Sequence, residues 1–377
     1  MFNWMGKQEE VRRIAREFAE REIVPLVEEL DRQTTPSFPF DLFHKMGSMG
    51  FMGYPLDSQY GGKNKSQLEY ATLIEEIASY SASASLILAV NNLAYLPISL
   101  FGSEEQKLKY LPRMAKGELV GSFCLTEPNA GSDAKSQQTT AVLDGDHYRI
   151  NGEKIFIMHG DVADIMVVFC KIDGKVSALI MDDTTVEGLE RHALTHKMGI
   201  RGATTARIKF TNCPVPRENM LFDVGKGFRI ALGTLDAARI GIAAQSVGIA
   251  QAALNRATEY AKTRQQFGQP IGKFQAISFS IAEVAIRVEA ARLLTYKAAI
   301  LQDEGKPFST EAAMAKYYAS ETASYAADWA VQIHGGYGYI GELADVERIY
   351  RDARITRIYE GANQIQLLVI SRSILGL

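Results

Sequence analysis

Residues 138–152 read Gln138-Thr139-Thr140-Ala141-Val142-Leu143-Asp144-Gly145-Asp146-His147-Tyr148-Arg149-Ile150-Asn151-Gly152. β-Prone residues flank Asp144-Gly145, a dipeptide that accepts the positive φ angles of a tight hairpin turn, and Asn151-Gly152 repeats the signal. The same texture extends outward. Residues 121–125, 138–143, 148–150, 165–172, 176–181 and 207–210 read as strands, with Asp173-Gly174 as a further turn. Short strands joined this way predict an antiparallel barrel or sandwich rather than βαβ units.

On both sides of this segment the period becomes helical. Val11, Ile14 and Phe18 share one face, and Pro25 is expected to bend or divide their helix. Phe38-Pro39-Phe40 opens a short helix that Gly47, Gly50 and Gly53 punctuate. Residues 66–100 predict one or two helices, the second rich in Ser and Ala, and Ser103 is the N-cap of another. Pro214 and Pro216 mark the exit from the strands. From about Ala231, Ile240, Ala244, Val247 and Leu254 trace a long helix, and Ile277, Ile281, Val284, Val288 and Leu294 a second. Ser309 or Thr310 caps a third that ends at Gly335-Gly336, and a last one starts near Ala362. The predicted fold is α+β: an N-terminal helical domain over residues 1–120, a middle antiparallel β domain over 121–230, and a C-terminal four-helix bundle over 231–377.

Composition bounds the function. The chain has 377 residues, 47% hydrophobic and 23% charged, as in globular domains with a large core. A net charge of −3 without a basic block argues against nucleic acid. The first ten residues lack the pattern of a secretory signal, and apolar runs such as residues 86–90 are too short to span a bilayer. Cys124, Cys170 and Cys213 are scattered through strand-like segments. They read as buried thiols in a reducing compartment, which predicts a cytoplasmic protein.

The candidate for chemistry is Glu360, in Arg357-Ile358-Tyr359-Glu360-Gly361-Ala362-Asn363-Gln364. It stands between an extended-looking Ile-Thr-Arg-Ile-Tyr run and an apolar-periodic helix, so it is read near unpaired N–H groups at a helix N-terminus. A base beside such donors suits proton abstraction next to a carbonyl, whereas a plain capping acid is the bland alternative. Gly336-Tyr337-Gly338-Tyr339-Ile340-Gly341 has G-x-G-x-x-G spacing but follows a helix, which excludes a dinucleotide turn. His192 and His196 lie in β-like sequence, so no metal site is expected. The loop at Leu125-Thr126-Glu127-Pro128-Asn129-Ala130-Gly131-Ser132-Asp133 offers N–H and hydroxyl donors to a heterocycle or phosphate, or is an ordinary turn. Arg264-Gln265-Gln266-Phe267-Gly268 suits a pyrophosphate or a surface salt bridge.

Together these motifs resemble the acyl-CoA dehydrogenase family. Residues 125–133 resemble its L-T-E-P-x-A-G-S-D, residues 197–202 its K-M-G-x-R-G, residues 264–268 its R-x-x-F-G, residues 332–336 its Q-x-x-G-G and residues 358–361 its I-Y-E-G, in order across some 240 residues. The resemblance implies non-covalent FAD between the β domain and the C-terminal bundle. The flavin is expected against the strand of Phe123, Leu125 and Thr126, with Gly131 and Ser132 in the loop beyond and Phe156, Met158 and Ala362 beside it. Arg264, Gln266, Phe267, Gln275, Gln332, Gly335, Gly336 and Gln364 match positions that hold the pyrophosphate and adenosine, some across a subunit interface. A homotetramer, as a dimer of dimers, follows. Ser132, Asp236, Arg239, Tyr359 and Gly361 match substrate positions. Glu360 matches the base that takes the α-proton of an acyl-CoA while the β-hydrogen leaves as hydride, and an electron-transfer flavoprotein is the implied electron acceptor.

Departures refine that expectation. Some members carry the base one residue before the arginine of the long helix; here that residue is Ala238. The family's W-I-T-N is Phe156-Ile157-Met158-His159, so Met158 has no hydrogen bond to donate and His159 adds a titratable group. Ala362 replaces a threonine and Asn129 a glycine. An altered flavin potential or an unusual substrate is therefore expected. The Ser- and Ala-rich helix with Asn91-Asn92 is expected to line a short, medium or compact acyl pocket; without an arginine it does not suit a distal carboxylate. The alternatives are a dehydrogenase or oxidase acting on a carrier-protein or unusual thioester, and a non-catalytic flavin-binding assembly protein.

Overall fold

The computed structural model describes residues 5–32 and 37–377; the first four residues of the amino-terminal stretch read for a signal lie outside them. Helices α1 (Met5–Phe18), α2 (Val27–Arg32), α3 (Phe40–Ser48), α4 (Gln67–Tyr80), α5 (Ala82–Phe101) and α6 (Glu104–Ala115) come first. A π turn and a 3-10 turn carrying Pro25 separate α1 from α2, the division that Pro25 predicts. Ser66 and Ser103 each accept from the backbone N–H three residues on, and Glu69 and Gln106 reciprocate, so α4 and α6 both start in capping boxes. Helix α5 has the length and apolarity of a membrane-crossing helix, which the short runs of its sequence did not suggest. It is nevertheless mostly buried, packed on α4 and β1 as a core helix.

The sheet follows: β1 (Gly121–Cys124), β2 (Thr140–Asp144), β3 (His147–Met158), β4 (Ile165–Ile172), β5 (Lys175–Met181), β6 (Leu189–Ala193) and β7 (Thr205–Pro216). Its order is β1-β4-β2-β3-β7-β6, with β5 on β4. Most pairs are antiparallel, but β1 and β2 both run parallel to β4. Asp144-Gly145 makes the expected turn between β2 and β3. Asn151-Gly152 does not; β3 continues through it as a bulge against β7. Gly152 has φ +149°, and a Cβ there would fall 2.7 Å or less from Thr139, so the glycine lets two strands close up rather than ending one. Pro214 and Pro216 lie at the end of β7, the last strand of this sheet, and so mark its exit as read. All three cysteines are buried free thiols.

The remaining elements are α7 (Gly227–Thr263), the short strands β8 (Gln265–Gln266) and β9 (Gln269–Pro270), α8 (Gln275–Asp303), α9 (Ser309–His334), α10 (Gly336–Tyr339), α11 (Val346–Ala353) and α12 (Asn363–Leu375). Neither Ser309 nor Thr310 caps α9: Phe308 holds the cap position, and Thr310 donates instead to Ser373 of α12 at 2.8 Å. Helix α7, 37 residues long, contacts α4, α5, α8, α9 and α11, and its Ala243, Ala244, Val247, Ala250 and Ala253 are fully buried. Glu75 of α4 accepts from Arg12 of α1 at 3.0 Å and from Arg292 and Tyr296 of α8 at 2.9 and 2.8 Å, which ties the first helices to the bundle.

A second buried charge fixes the loop after β1. Lys154 of β3, 0% exposed, donates to the Leu125 carbonyl at 2.9 Å, Glu127 Oε1 at 2.8 Å and Gln137 Oε1 at 2.9 Å. Glu127 also accepts from the backbone N–H groups of Gln138 and Thr139. Replacing one member leaves the other as an unpaired buried charge, which typically costs about 3–5 kcal/mol. Lys154→Met is therefore expected to unfold at distinctly lower urea than the parent, with partial recovery in Lys154→Met/Glu127→Gln. A single variant as stable as the parent contradicts the pairing.

Candidate active site

The segment before Glu360 is a 3-10 turn, Arg354–Arg357, not the extended run its sequence suggests. The Ile358 and Tyr359 N–H groups both donate to the Ile355 carbonyl, which curls the chain tightly. Glu360 and Gly361 then adopt successive left-handed conformations, φ +50° and +88°. A left-handed glutamate is strained, and such strain persists only where surrounding contacts hold it. Here Gln366 Nε2 donates to the Glu360 carbonyl at 3.1 Å and to the Gly361 carbonyl at 2.8 Å. Lys316 Nζ of α9 donates to the same Gly361 carbonyl, also at 2.8 Å. Helix α12 begins two residues past Gly361, with Ala362 at its cap position.

This turn aims Glu360 into a narrow cavity walled by Tyr70 of α4, Leu86, Asn92 and Leu93 of α5, and Ala238 and Gly241 of α7. Of the asparagine pair read as pocket-lining, Asn92 does line it and donates to Tyr95 at 2.7 Å. Asn91 is structural, bonded to the Met114 carbonyl and the Gly121 N–H. Glu360 Oε2 is buried without a hydrogen-bond partner among the described residues. Burial pushes the Glu360 carboxyl up to about 7, against the opposing pull of Arg239 and Lys316. Arg239 is 4% exposed, binds Asp236 at 2.6 Å, and is lowered by its own burial. Tyr359 is committed elsewhere, its hydroxyl donating to Gln245 of α7. A larger cleft of about 620 Å³ lies between α2 and α11, but its Arg32, Arg256, Arg348 and Arg351 are already paired with Glu28, Asp345 and Asp31. The smaller cavity holds the unpartnered Glu360 oxygen, which makes it the candidate site.

The β face gathers another set. Phe123, Leu125 and Thr126 are half-buried at the end of β1, Gly131 and Ser132 are exposed in the loop beyond, and the Thr126 carbonyl accepts from the Ile155 N–H at 2.9 Å. Next to them, Phe156 is 65% exposed with φ +59°, at a second bulge between β3 and β7. An exposed aromatic, an aliphatic strip and a hydroxyl fit a flat heterocycle. Met158, expected only to lack a donor, receives one: Thr205 Oγ1 lies 3.1 Å from its sulfur. His159 is not a titrating neighbour. It is fully buried edge-on to Phe38, and burial lowers it to about 3, so it stays neutral.

A third set sits at the far end of the bundle. Arg264, at the C-cap of α7, lies 25 positions on from Arg239, about 38 Å at 1.5 Å per residue. There Arg264 lies 5.3 Å over the Tyr337 ring, and Tyr260 stacks on His334 at 4.1 Å. Phe267 is 93% exposed, Gln266, Gln275, Gln332, Gly335 and Gly336 are exposed, and a Cβ on either glycine would meet nothing within 4 Å. Gln364 is exposed near Glu360 instead. The expected cofactor residues of one chain thus fall at two distant places. One residue that sequence reading missed is Lys316. Its signal is visible in retrospect: a lone lysine on the alanine stripe Ala312, Ala315, Ala319, Ala323 of α9.

Comparison with known proteins agrees with this geometry. The domain descriptions "Acyl-CoA dehydrogenase, N-terminal domain", "middle domain" and "C-terminal domain" match residues 6–118, 122–213 and 225–375. The short-chain-specific acyl-CoA dehydrogenase of Clostridium acetobutylicum is 45% identical over 379 residues, 99% of each chain. The caffeyl-CoA reductase-Etf complex subunit CarC of Acetobacterium woodii is 45% identical over 372 residues, 97% of each. The structure of butyryl-CoA dehydrogenase from Megasphaera elsdenii superimposes with a TM-score of 0.95 at 43% identity and 100% coverage of both chains.

A carboxyl raised from 4.5 to about 7 binds its proton more tightly in the folded chain. Its contribution to stability therefore falls as pH rises through that window and is constant above it, a loss of at most about 3 kcal/mol before solvent screening. Glu360→Gln is expected to be more stable than the parent by about 1–3 kcal/mol at pH 8, with the gap closing below pH 4.5. Urea unfolding across pH checks this; a gap independent of pH speaks against it.

Proposed function

The chain belongs to the acyl-CoA dehydrogenase family and is an FAD-dependent oxidoreductase, and on that footing we propose that it α,β-dehydrogenates a short or compact acyl-CoA with Glu360 as the α-proton base. The observation that carries this reading is the Glu360 carboxyl, its Oε2 buried without a hydrogen-bond partner among the described residues and facing a cavity of otherwise uncharged walls, where burial pushes it up to about 7. The cavity is small, about 30 Å³, and that supports a small acyl group. Asn92 brings a polar edge to it.

An α-proton is poorly acidic, so the thioester oxygen needs donors. The Glu360 backbone N–H has no acceptor among the described backbone hydrogen bonds, which leaves it for that oxygen. Arg239 and Lys316 supply the positive charge that favours an ionised Glu360 once ligand excludes water. FAD, when bound, supplies the hydride acceptor. Phe123, Leu125, Thr126, Gly131, Ser132, Phe156, Met158, Ala362 and Gln364 are proposed to hold its flavin half. Arg264, Gln266, Phe267, Gln275, Gln332, Gly335 and Gly336 lie too far along the bundle to join them in one chain, so a second copy is proposed to supply them. A dimer of dimers accommodates that exchange. Ser132, Asp236, Arg239, Tyr359 and Gly361 are proposed to face the CoA thioester. One relative is named as a subunit of an Etf complex, which supports an electron-transfer flavoprotein as electron partner.

Anaerobic titration of the FAD-loaded protein with linear, branched, dicarboxylic and alicyclic acyl-CoAs is expected to bleach the visible flavin band with one class. Glu360→Gln is expected to lower kcat by roughly four powers of ten. Turnover near the parent level in that variant removes the base assignment, and no bleaching by any thioester points to a carrier-protein substrate or a non-catalytic scaffold. Arg264→Ala is expected to release FAD on gel filtration while the fold persists; full retention of FAD argues against a pyrophosphate role.

A further inference from the structure

Lys316 is 0% exposed, on the face of α9 that also buries Ala312, Ala313, Ala315 and Ala319. A buried ammonium normally takes a carboxylate partner. This one has no ion pair among the described residues. Its acceptors are neutral: the Gly361 carbonyl at 2.8 Å and Asn363 Oδ1 at 2.9 Å. Asn363 cannot turn away, because its Nδ2 donates to Ser320 Oγ at 3.0 Å and to Glu321 Oε1 at 2.7 Å. Both acceptors belong to the turn that carries Glu360 into α12. Lys316 is not part of the cavity wall; it stands behind the turn.

We propose that Lys316 is the positioning residue of the Glu360 carboxylate: its grip on the Gly361 carbonyl keeps the left-handed pair aimed into the cavity, and its charge stabilises the ionised carboxylate from behind. This rests on the reading of Glu360 as the base. The groups that face Glu360 are few. Helix α7 brings Arg239 and Asp236, which pair with each other. Helix α9 brings Lys316 and Glu321, and Glu321 is paired with Arg357 at 2.8 Å. Helices α4 and α5 bring Gln67, Tyr70 and Asn92, with burial holding the Tyr70 hydroxyl neutral. Lys316 is therefore the one cation facing Glu360, among these groups, that makes no ion pair with a carboxylate. Burial lowers the Lys316 ammonium and raises the Glu360 carboxyl, and the attraction between the two opposes both shifts, so each charge supports the other.

Three variants of the FAD-loaded enzyme test this. Lys316→Met keeps length but removes charge and both hydrogen bonds, Lys316→Gln keeps a donor without charge, and Lys316→Arg keeps the charge. Two readouts apply: the pH dependence of kcat/KM, and an infrared difference titration of the Glu360 carboxyl with Glu360→Gln as its blank. The second does not need turnover. Lys316→Met is expected to move the Glu360 ionisation upward by about one pH unit in both and to lower kcat more than it raises KM. Lys316→Arg is expected to stay close to the parent. If Lys316→Met does not fold, Lys316→Gln is read in its place. A folded Met or Gln variant whose Glu360 titrates where the parent's does overturns the proposal, and so does an equal shift in Lys316→Arg. Should Glu360→Gln retain turnover, the base reading fails while the infrared titration still decides the coupling.

Discussion

Placing an ionisable carboxyl against apolar helix faces is the constraint on which the rest of this structure depends. Glu360 gains chemical use from burial only if its backbone cannot relax, because a mobile glutamate would find water and return to an ordinary acid. The turn that carries it is strained, and three neighbours hold it: Gln366 from its own helix, Lys316 from α9, and the tight 3-10 turn that precedes it. Each of these is fixed by the bundle. Helix α7 packs on α9 along small residues, and the Glu75 network ties α8, and through Arg292 and Gln251 also α7, to the N-terminal helices, so the cavity wall from α4 and α5 is held in register with the base.

A second theme is the use of buried lysines to hold backbone carbonyls. Lys154 holds the Leu125 carbonyl after β1, and Lys316 holds that of Gly361 before α12. Lys197 donates to the carbonyls of Ile200, in its own Lys-Met-Gly-Ile-Arg-Gly segment, and of Ala203 just after it, and burial lowers it to about 8. In each case a flexible stem rooted on regular structure or close to it reaches a loop that has no ladder of its own. An ammonium suits this role because it offers three donors and no acceptor, so it can satisfy several carbonyls at once. The cost is desolvation, and lysine shifts its pKa readily to meet it.

The bundle also separates functions along its axis. Helices α7 and α9 run side by side, Arg239 and Lys316 near Glu360 at one end, Tyr260 and His334 stacked at the other. The exposed Phe267 and the open Gly335 and Gly336 belong to that far end. An aromatic left almost wholly in water on a short hairpin is costly for an isolated chain, and apolar residues such as Phe279 and Ile286 of α8 are exposed in the same way. Association of copies offers one cover for these surfaces and, on the reading proposed above, joins the two ends around one cofactor.

Sequence alone was sufficient for features decided by neighbouring residues. Periodicity placed the long helices and most strands, Asp144-Gly145 and the capping Ser103 marked real boundaries, and the segment around Glu360 stood out once its motif was read with the others in order along the chain. What depended on partners distant in the chain was not legible. Asn151-Gly152 has turn chemistry, but the close approach of Thr139 made it a bulge. The parallel pairing of β1 with β4, the neutrality of His159 under Phe38, and the donor that Met158 finds in Thr205 all come from segments far apart in sequence. Lys316 looked like an ordinary helical lysine until α9 was packed beneath residue 361, because a side chain's charge is written in the sequence while its desolvation and its partners exist only in the folded chain.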